Sequence, residues 1–154
     1  AQAAANLDFV RLRQRETEGA PRVGAQACAD LAQAGAGAGR PDELAELAYR
    51  RGDHDGDASA SFNLGVLLHE RRDFAGAAAA YLRSEQRGEN DAAFNLGVLL
   101  YETGDLAGAE AAWRRCMQRG HISAAANLGF LLERRGDRQG ASIARRAAGG
   151  ADPV

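Results

Sequence analysis

Leucines in this chain recur at the spacing of a helix with one apolar face. Leu64, Leu67 and Leu68 stand at i, i+3 and i+4; Leu96, Leu99 and Leu100 repeat the stripe, and so do Leu128, Leu131 and Leu132. The step is 32 residues each time. The surrounding residues move with it, since Phe62-Asn63-Leu64-Gly65-Val66-Leu67-Leu68 returns unaltered at 94–100 and, as Ala126-Asn127-Leu128-Gly129-Phe130-Leu131-Leu132, a third time. A polar break follows each stripe, at Arg72-Asp73, Gly104-Asp105 and Gly136-Asp137. There a turn ends one helix, and the aspartate is placed to accept from the free N–H groups that open the next. That second helix is marked by Ala77, Tyr81 and Ser84, or by Ala109, Trp113 and Cys116, at i, i+4 and i+7. Each unit reads helix, tight turn, helix.

The repetition divides the chain into a degenerate unit over 29–60, two full units over 61–92 and 93–124, and a C-terminal unit with a fraying cap over 125–154. In the degenerate unit Ala45, Tyr49 and Gly56 keep the register of the second helix, and Pro41 suits its first turn. The first helix has decayed to Ala29-Asp30-Leu31-Ala32-Gln33-Ala34, followed by a glycine-alanine loop from Gly35 to Gly39. Residues 1–28 read as a further helical segment, with Leu7 and Val10 facing inward, and a linker around Gly19-Ala20-Pro21. In the last unit Arg145 stands where Tyr81 and Trp113 stand in the others. Arrays of this kind end in atypical, more polar units because the last face meets water.

Composition sharpens this picture in two ways. Apolar residues make up 45% of the chain and aromatics only 6%, so the core must come from helices approaching closely through alanine and glycine. Together with the lack of alternating apolar and polar runs, that predicts an all-α fold without sheet. The formal charge is −2 and every cation is an arginine, which gives no electrostatic footprint for nucleic acid. The absence of lysine fits a GC-rich, bacterial genome. No run is long and apolar enough for a membrane span, and Ala1-Gln2-Ala3-Ala4 has no signal-peptide character. Cys28 and Cys116 fall in different helices and fit a reducing cytoplasm better than a disulfide framework. The chain opens without methionine, which leaves open a processed product or part of a longer regulator.

The order Leu-Gly-x2-Leu, then alanine, then an aromatic four residues on and a small residue three later resembles the tetratricopeptide repeat, whose period is about 34. Leu64, Gly65, Leu68, Ala77, Tyr81 and Ser84 fill it once, and Leu96, Gly97, Leu100, Ala109, Trp113 and Cys116 fill it again. The stretch from Gly120-His121 to Leu128-Gly129 also resembles the related Sel-like repeats. The resemblance implies a short right-handed α-solenoid with the first helices lining a concave face. Glycine inside a helix costs about 1 kcal/mol against alanine, so its return at Gly65, Gly97 and Gly129 calls for close approach of the unit's second helix, with Tyr81 and Trp113 wedged between units.

In peptide-holding members of that family an asparagine one residue before the core leucine forms a ladder to the ligand backbone. Asn63, Asn95 and Asn127 occupy that place. A carboxamide offers donor and acceptor together and can pair with a peptide unit whatever its side chain. The same asparagines could instead bond to the neighbouring repeat or to a free carbonyl. Val66, Val98 and Phe130, with His69, Tyr101 and Glu133, continue the face and would flank the ladder; their character argues against a basic clamp for a carboxylate terminus.

Little else in the chain offers chemistry. Asp53-His54-Asp55-Gly56-Asp57 resembles the start of a calcium loop, but Ala58 replaces the expected glycine and the core residue Leu64 the closing glutamate, so a turn between units explains it. His121 lacks partners for a zinc site and marks a polar turn. With no nucleophile elbow, phosphate loop or paired carboxylates, no catalytic, cofactor or metal site is expected. The expected function is that of an adaptor or scaffold holding an extended peptide or partner helix. Alternatives are a regulatory sensor within a longer chain, or self-association through uncapped ends.

Overall fold

The computed structural model describes residues 41–149, and they form helices throughout, with no strand among them. In chain order these are α1 (Pro41–His54), α2 (Ala58–Glu70), α3 (Phe74–Gln86), α4 (Asn90–Glu102), α5 (Leu106–Gln118), α6 (Ile122–Arg134) and α7 (Arg138–Ala147). Each packs on its neighbours in the chain, most extensively within the pairs α2–α3, α4–α5 and α6–α7. The all-α helical-repeat fold expected from the sequence is therefore the observed one. Expectations for the helix and linker within 1–28, for the decayed helix and loop of 29–39, and for Cys28 lie outside the described residues.

The local reasons for these elements are those the repeat suggested. Asp73, Asp105 and Asp137 each accept a hydrogen bond from the backbone N–H of Gly76, Gly108 and Gly140, at 2.9, 2.9 and 2.8 Å. Between units the turns close on Gly56, Gly88 and Gly120, all at positive φ. First helices start at Ala58, Asn90 and Ile122, three residues ahead of the unit starts at 61, 93 and 125. The frame of a repeat is arbitrary, so the period is unaffected.

Among the described residues two clusters make up the core, and each spans a junction between units. Tyr81 of α3 packs with Leu64 and Leu68 of α2 and with Ala92, Leu96 and Leu99 of α4. Trp113 of α5 packs with Phe94 and Val98 of α4 and with Ala124, Leu128 and Leu131 of α6. The aromatics are thus wedges between repeats. The alanines at 77, 109 and 141 and at 80, 112 and 144 are buried along the second helices and let these approach. What occupies the space over the mid-helix glycines is the aromatic ring of the same unit. A Cβ on Gly65 would come within 2.5 Å of Tyr81 Cδ1, and one on Gly97 within 2.5 Å of Trp113 Cδ1. At Gly129, where Arg145 replaces the wedge, nothing comes nearer than 3.4 Å.

Candidate functional site

The asparagine positions lie on α2, α4 and α6, one residue ahead of the buried Leu64, Leu96 and Leu128. Asn63 is half-buried, whereas Asn95 retains 8% and Asn127 4% of its surface. The Asn95 amide faces the Tyr81 hydroxyl, from α4 back to the preceding unit. Burial pushes that phenol well above its ordinary range, reinforced by the Glu70 and Glu102 carboxylates. Trp113 takes the place of Tyr81 at the next junction and has no hydroxyl to offer Asn127; its Nε1–H donates instead to the Phe94 carbonyl, at 3.2 Å. In both buried amides one atom has no hydrogen-bond partner: Oδ1 of Asn95 and Nδ2 of Asn127.

The residues expected to flank the ladder divide between core, contacts and surface. Val98 is fully buried in the cluster around Trp113 and presents no surface, while its counterparts Val66 and Phe130 are half-buried. His69 Nε2 lies 2.9 Å from Glu102 Oε2, and its ring stands edge-on to Phe74 and Tyr81. Tyr101 packs against Trp113, and its hydroxyl accepts from Arg134 Nη1 at 3.2 Å. These two contacts recur one unit apart and tie α2 to α4 and α4 to α6, so the first helices lie side by side. Glu133 is exposed and pairs with Arg145. Arg134 also sits over the Phe130 ring, 5.8 Å from its centroid. The face thus offers an amide and apolar floor at Asn63, Val66 and Phe130, crossed by polar ties.

Sequence reasoning missed a second ladder, on the second helices. Asp53 of α1 accepts from Arg83 Nε and Nη2 of α3, at 3.0 and 2.6 Å, from Arg87 Nη1 at 2.7 Å, and from the Ser61 hydroxyl at 2.7 Å. One period on, Glu85 of α3 accepts from Arg115 Nε and Nη2 of α5, at 2.9 and 3.0 Å, and pairs with Arg119 Nη1 at 3.5 Å. These fork-shaped pairs hold both carboxyl groups below their usual range against the opposing effect of burial, chiefly through Arg83 at Asp53 and Arg115 at Glu85. The signal was present in the recurrence of Arg83/Arg87 as Arg115/Arg119, each pair following an acidic residue, Asp53 or Glu85, by about one period. It was hidden because Asp and Glu alternate as acceptor and because Asp53 falls within the aspartate-rich turn.

The small residue after the wedge also has a task. The Ser84 hydroxyl donates to the Ala58 carbonyl at 2.8 Å, and the Cys116 thiol to the Asn90 carbonyl at 3.3 Å, each tying the second helix to the start of its own unit. Burial pushes the Cys116 thiol up to about 12, so it stays a neutral donor. Asp57 caps α2, accepting from Ser59 N and Ala60 N, which leaves the aspartate-rich turn with structural tasks. Among the described residues no three His, Cys, Asp or Glu side chains gather as a metal site would require, and no helix is long and apolar enough to cross a membrane.

Helix pairs stacked at a fixed step around small-residue contacts and aromatic wedges define a class, the α-helical repeat proteins, and comparison with known proteins agrees. The tetratricopeptide repeat model matches residues 91–120. The crystal structure of MamA is similar over 96% of this chain and 89% of that one, at 18% identity and a TM-score of 0.63. So is c5321, a protective antigen of uropathogenic Escherichia coli strains with an SLR fold, over 88% of this chain at 26% identity and a TM-score of 0.63; the match covers 32% of the antigen. BtubC of P. vanneervenii matches at 22% identity over 74% of this chain and 59% of that one, with a TM-score of 0.56. No curated protein matches the sequence. The chain is accordingly an α-helical repeat protein, similar over 91–120 to the tetratricopeptide repeat and in fold to the structures named.

Proposed function

We propose that this chain is a non-enzymatic protein-interaction module that holds an extended peptide across its first helices. The observation that carries the reading is the return of an asparagine at one place on three successive first helices, with Oδ1 of Asn95 and Nδ2 of Asn127 left without a partner. A buried polar atom without a partner costs about 1–3 kcal/mol, and two equivalent positions bear that cost in successive repeats. A peptide backbone offers a carbonyl and an N–H at each step, and the half-buried Asn63 is the most accessible of the three amides to it. Asn63, Val66, Phe130, His69, Tyr101 and Glu133 border the same face and serve as the remaining contacts, with Val98 supporting them from the core. Such a module fits a scaffold or adaptor working in the cytoplasm, where a buried Cys116 thiol stays reduced.

The test is a random-peptide display selection on the purified protein, followed by affinity and thermal-melting measurements on Asn95→Ala and Asn95→Leu. A bonded amide contributes a net of about 0.5–1.5 kcal/mol, so Asn95→Ala should weaken selected peptides roughly two- to tenfold. Asn95→Leu replaces the amide by an apolar side chain of similar size. It should weaken binding about as far as Asn95→Ala does, while leaving less of a cavity in the stack. Peptides that bind both variants like the parent would overturn the reading, as would a lower melting temperature with unchanged affinity, which would assign Asn95 to the scaffold.

A further inference from the structure

Each first helix opens differently, although its place in the repeat is the same. At α2 the cap is the Asp57 carboxylate, accepting from Ser59 N and Ala60 N; at α4 Glu89 stands in the cap position and makes no side-chain bond. At α6 the cap is His121, whose Nδ1 accepts from the Ala124 N–H at 3.2 Å. An imidazole nitrogen accepts only while it carries no proton, so this cap exists in one protonation state of the ring. The other nitrogen faces a different partner: Nε2 lies 3.3 Å from Asp91 Oδ1 of α4. The ring plane is fixed by stacking on Phe94, with centroids 4.8 Å apart and planes inclined by 15°.

We propose that His121 is a proton-operated cap, which holds the first turn of α6 while neutral and releases it for an ion pair with Asp91 when protonated. With Nδ1 accepting, the proton of the neutral ring sits on Nε2, towards Asp91. A second proton converts Nδ1 from acceptor to donor and sets it against the Ala124 N–H, with a positive charge at the positive end of the α6 dipole. It also turns the Asp91 contact into a full ion pair. The two consequences oppose each other on different helices, so protonation exchanges partners locally: the α4 side tightens and the first turn of α6 loosens.

From α4 the charged group facing the ring is Asp91; from the end of α5 the Cys116 carbonyl accepts the His121 backbone N–H at 3.1 Å, and Arg119 stands in the turn that leads into α6. Glu85 and Arg115, further along the same junction, are paired with one another. From Ile122 to Leu132 α6 carries no ionisable residue. Histidine is the side chain whose ordinary charge change falls between about pH 5 and 8, above the range in which the carboxylate ladder protonates. Asn127 lies on α6 one turn beyond Ala124, so any effect of the cap on peptide affinity rests on the function proposed above, whereas the cap itself does not.

Nitrogen-15 NMR of the histidine rings, together with amide exchange at Ala124 between about pH 5 and 8, tests the cap without a ligand. The neutral His121 ring should show its proton on Nε2. As the ring protonates, Ala124 exchange, corrected for its intrinsic pH dependence, should accelerate about fivefold, as expected for a lost helix cap. His121→Ser keeps an acceptor that does not titrate in this range and should hold Ala124 protected throughout. His121→Ala should leave it unprotected at every pH. A proton on Nδ1 in the neutral ring overturns the proposal, and so does unchanged Ala124 protection across the titration or a pH response that survives in the serine variant.

Discussion

Arg72 sits at φ 62°, in the left-handed region, at the place where Gly104 and Gly136 sit in the other units, with φ of 88° and 82°. An L-residue bears a steric cost of about 1–2 kcal/mol there, which glycine avoids at some expense in unfolded-state entropy. Arg72→Gly should therefore stabilise the protein by about 0.5–1 kcal/mol in denaturant titration. A loss of stability would show that the arginine side chain contributes more than its backbone costs. The mid-helix glycines give a sharper contrast. Gly97→Leu should destabilise by roughly 1–3 kcal/mol or more, because the new side chain meets the Trp113 ring. Gly129→Ala has room beside Arg145 and should instead gain up to about 1 kcal/mol from helix propensity. Equal effects at the two glycines would refute the account of the wedge.

Between elements, the carboxylate rungs tie α1 to α3 and α3 to α5. The next acceptor position is Met117, and the matching position on α7 is Ala147, so the last pair of second helices has no rung. Glu85 is buried while its arginines are partly exposed, and Glu85→Gln should cost about 1–2 kcal/mol at neutral pH, between the values for exposed and buried pairs. The sign of the pH dependence follows from its lowered pKa. The stabilisation is complete above the unfolded-state value of about 4.3 and is lost as the pH falls through the lower folded value. The gap in melting temperature between parent and Glu85→Gln should thus be widest above about pH 5 and narrow steadily on acidification. A gap that widened in acid would mean that the rung does not stabilise the fold through its charge.

Across the whole molecule, stability in a stack of repeats is close to a sum of units and the junctions between them. α4 and α5 have a unit on either side and carry the Trp113 cluster, whereas α7 buries only Ala141 and Ala144, with neither wedge nor rung. Hydrogen exchange at neutral pH should be slowest in α4 and α5 and fastest, among the described helices, in α7. Uniform protection would indicate that the described repeats unfold as one cooperative body.

The repeat, its helices, the caps at Asp73, Asp105 and Asp137 and the wedge aromatics were legible in the sequence, because each rests on short-range spacing or on a side chain whose size is its function. The period then carried each reading from one unit to the next. Three features depended on the fold: which atoms fill the gap above Gly97, which carboxylate the arginines of α3 and α5 reach, and how deeply Asn95, Asn127 and Val98 are buried. Each joins residues from different helices, where distance along the chain says nothing about distance in space. The asparagines show the division most clearly. Their periodic place off the leucine stripe could be read from the chain, but only the packing of neighbouring units, one junction closed by a tyrosine and the next by a tryptophan, decided which amide atoms find a partner.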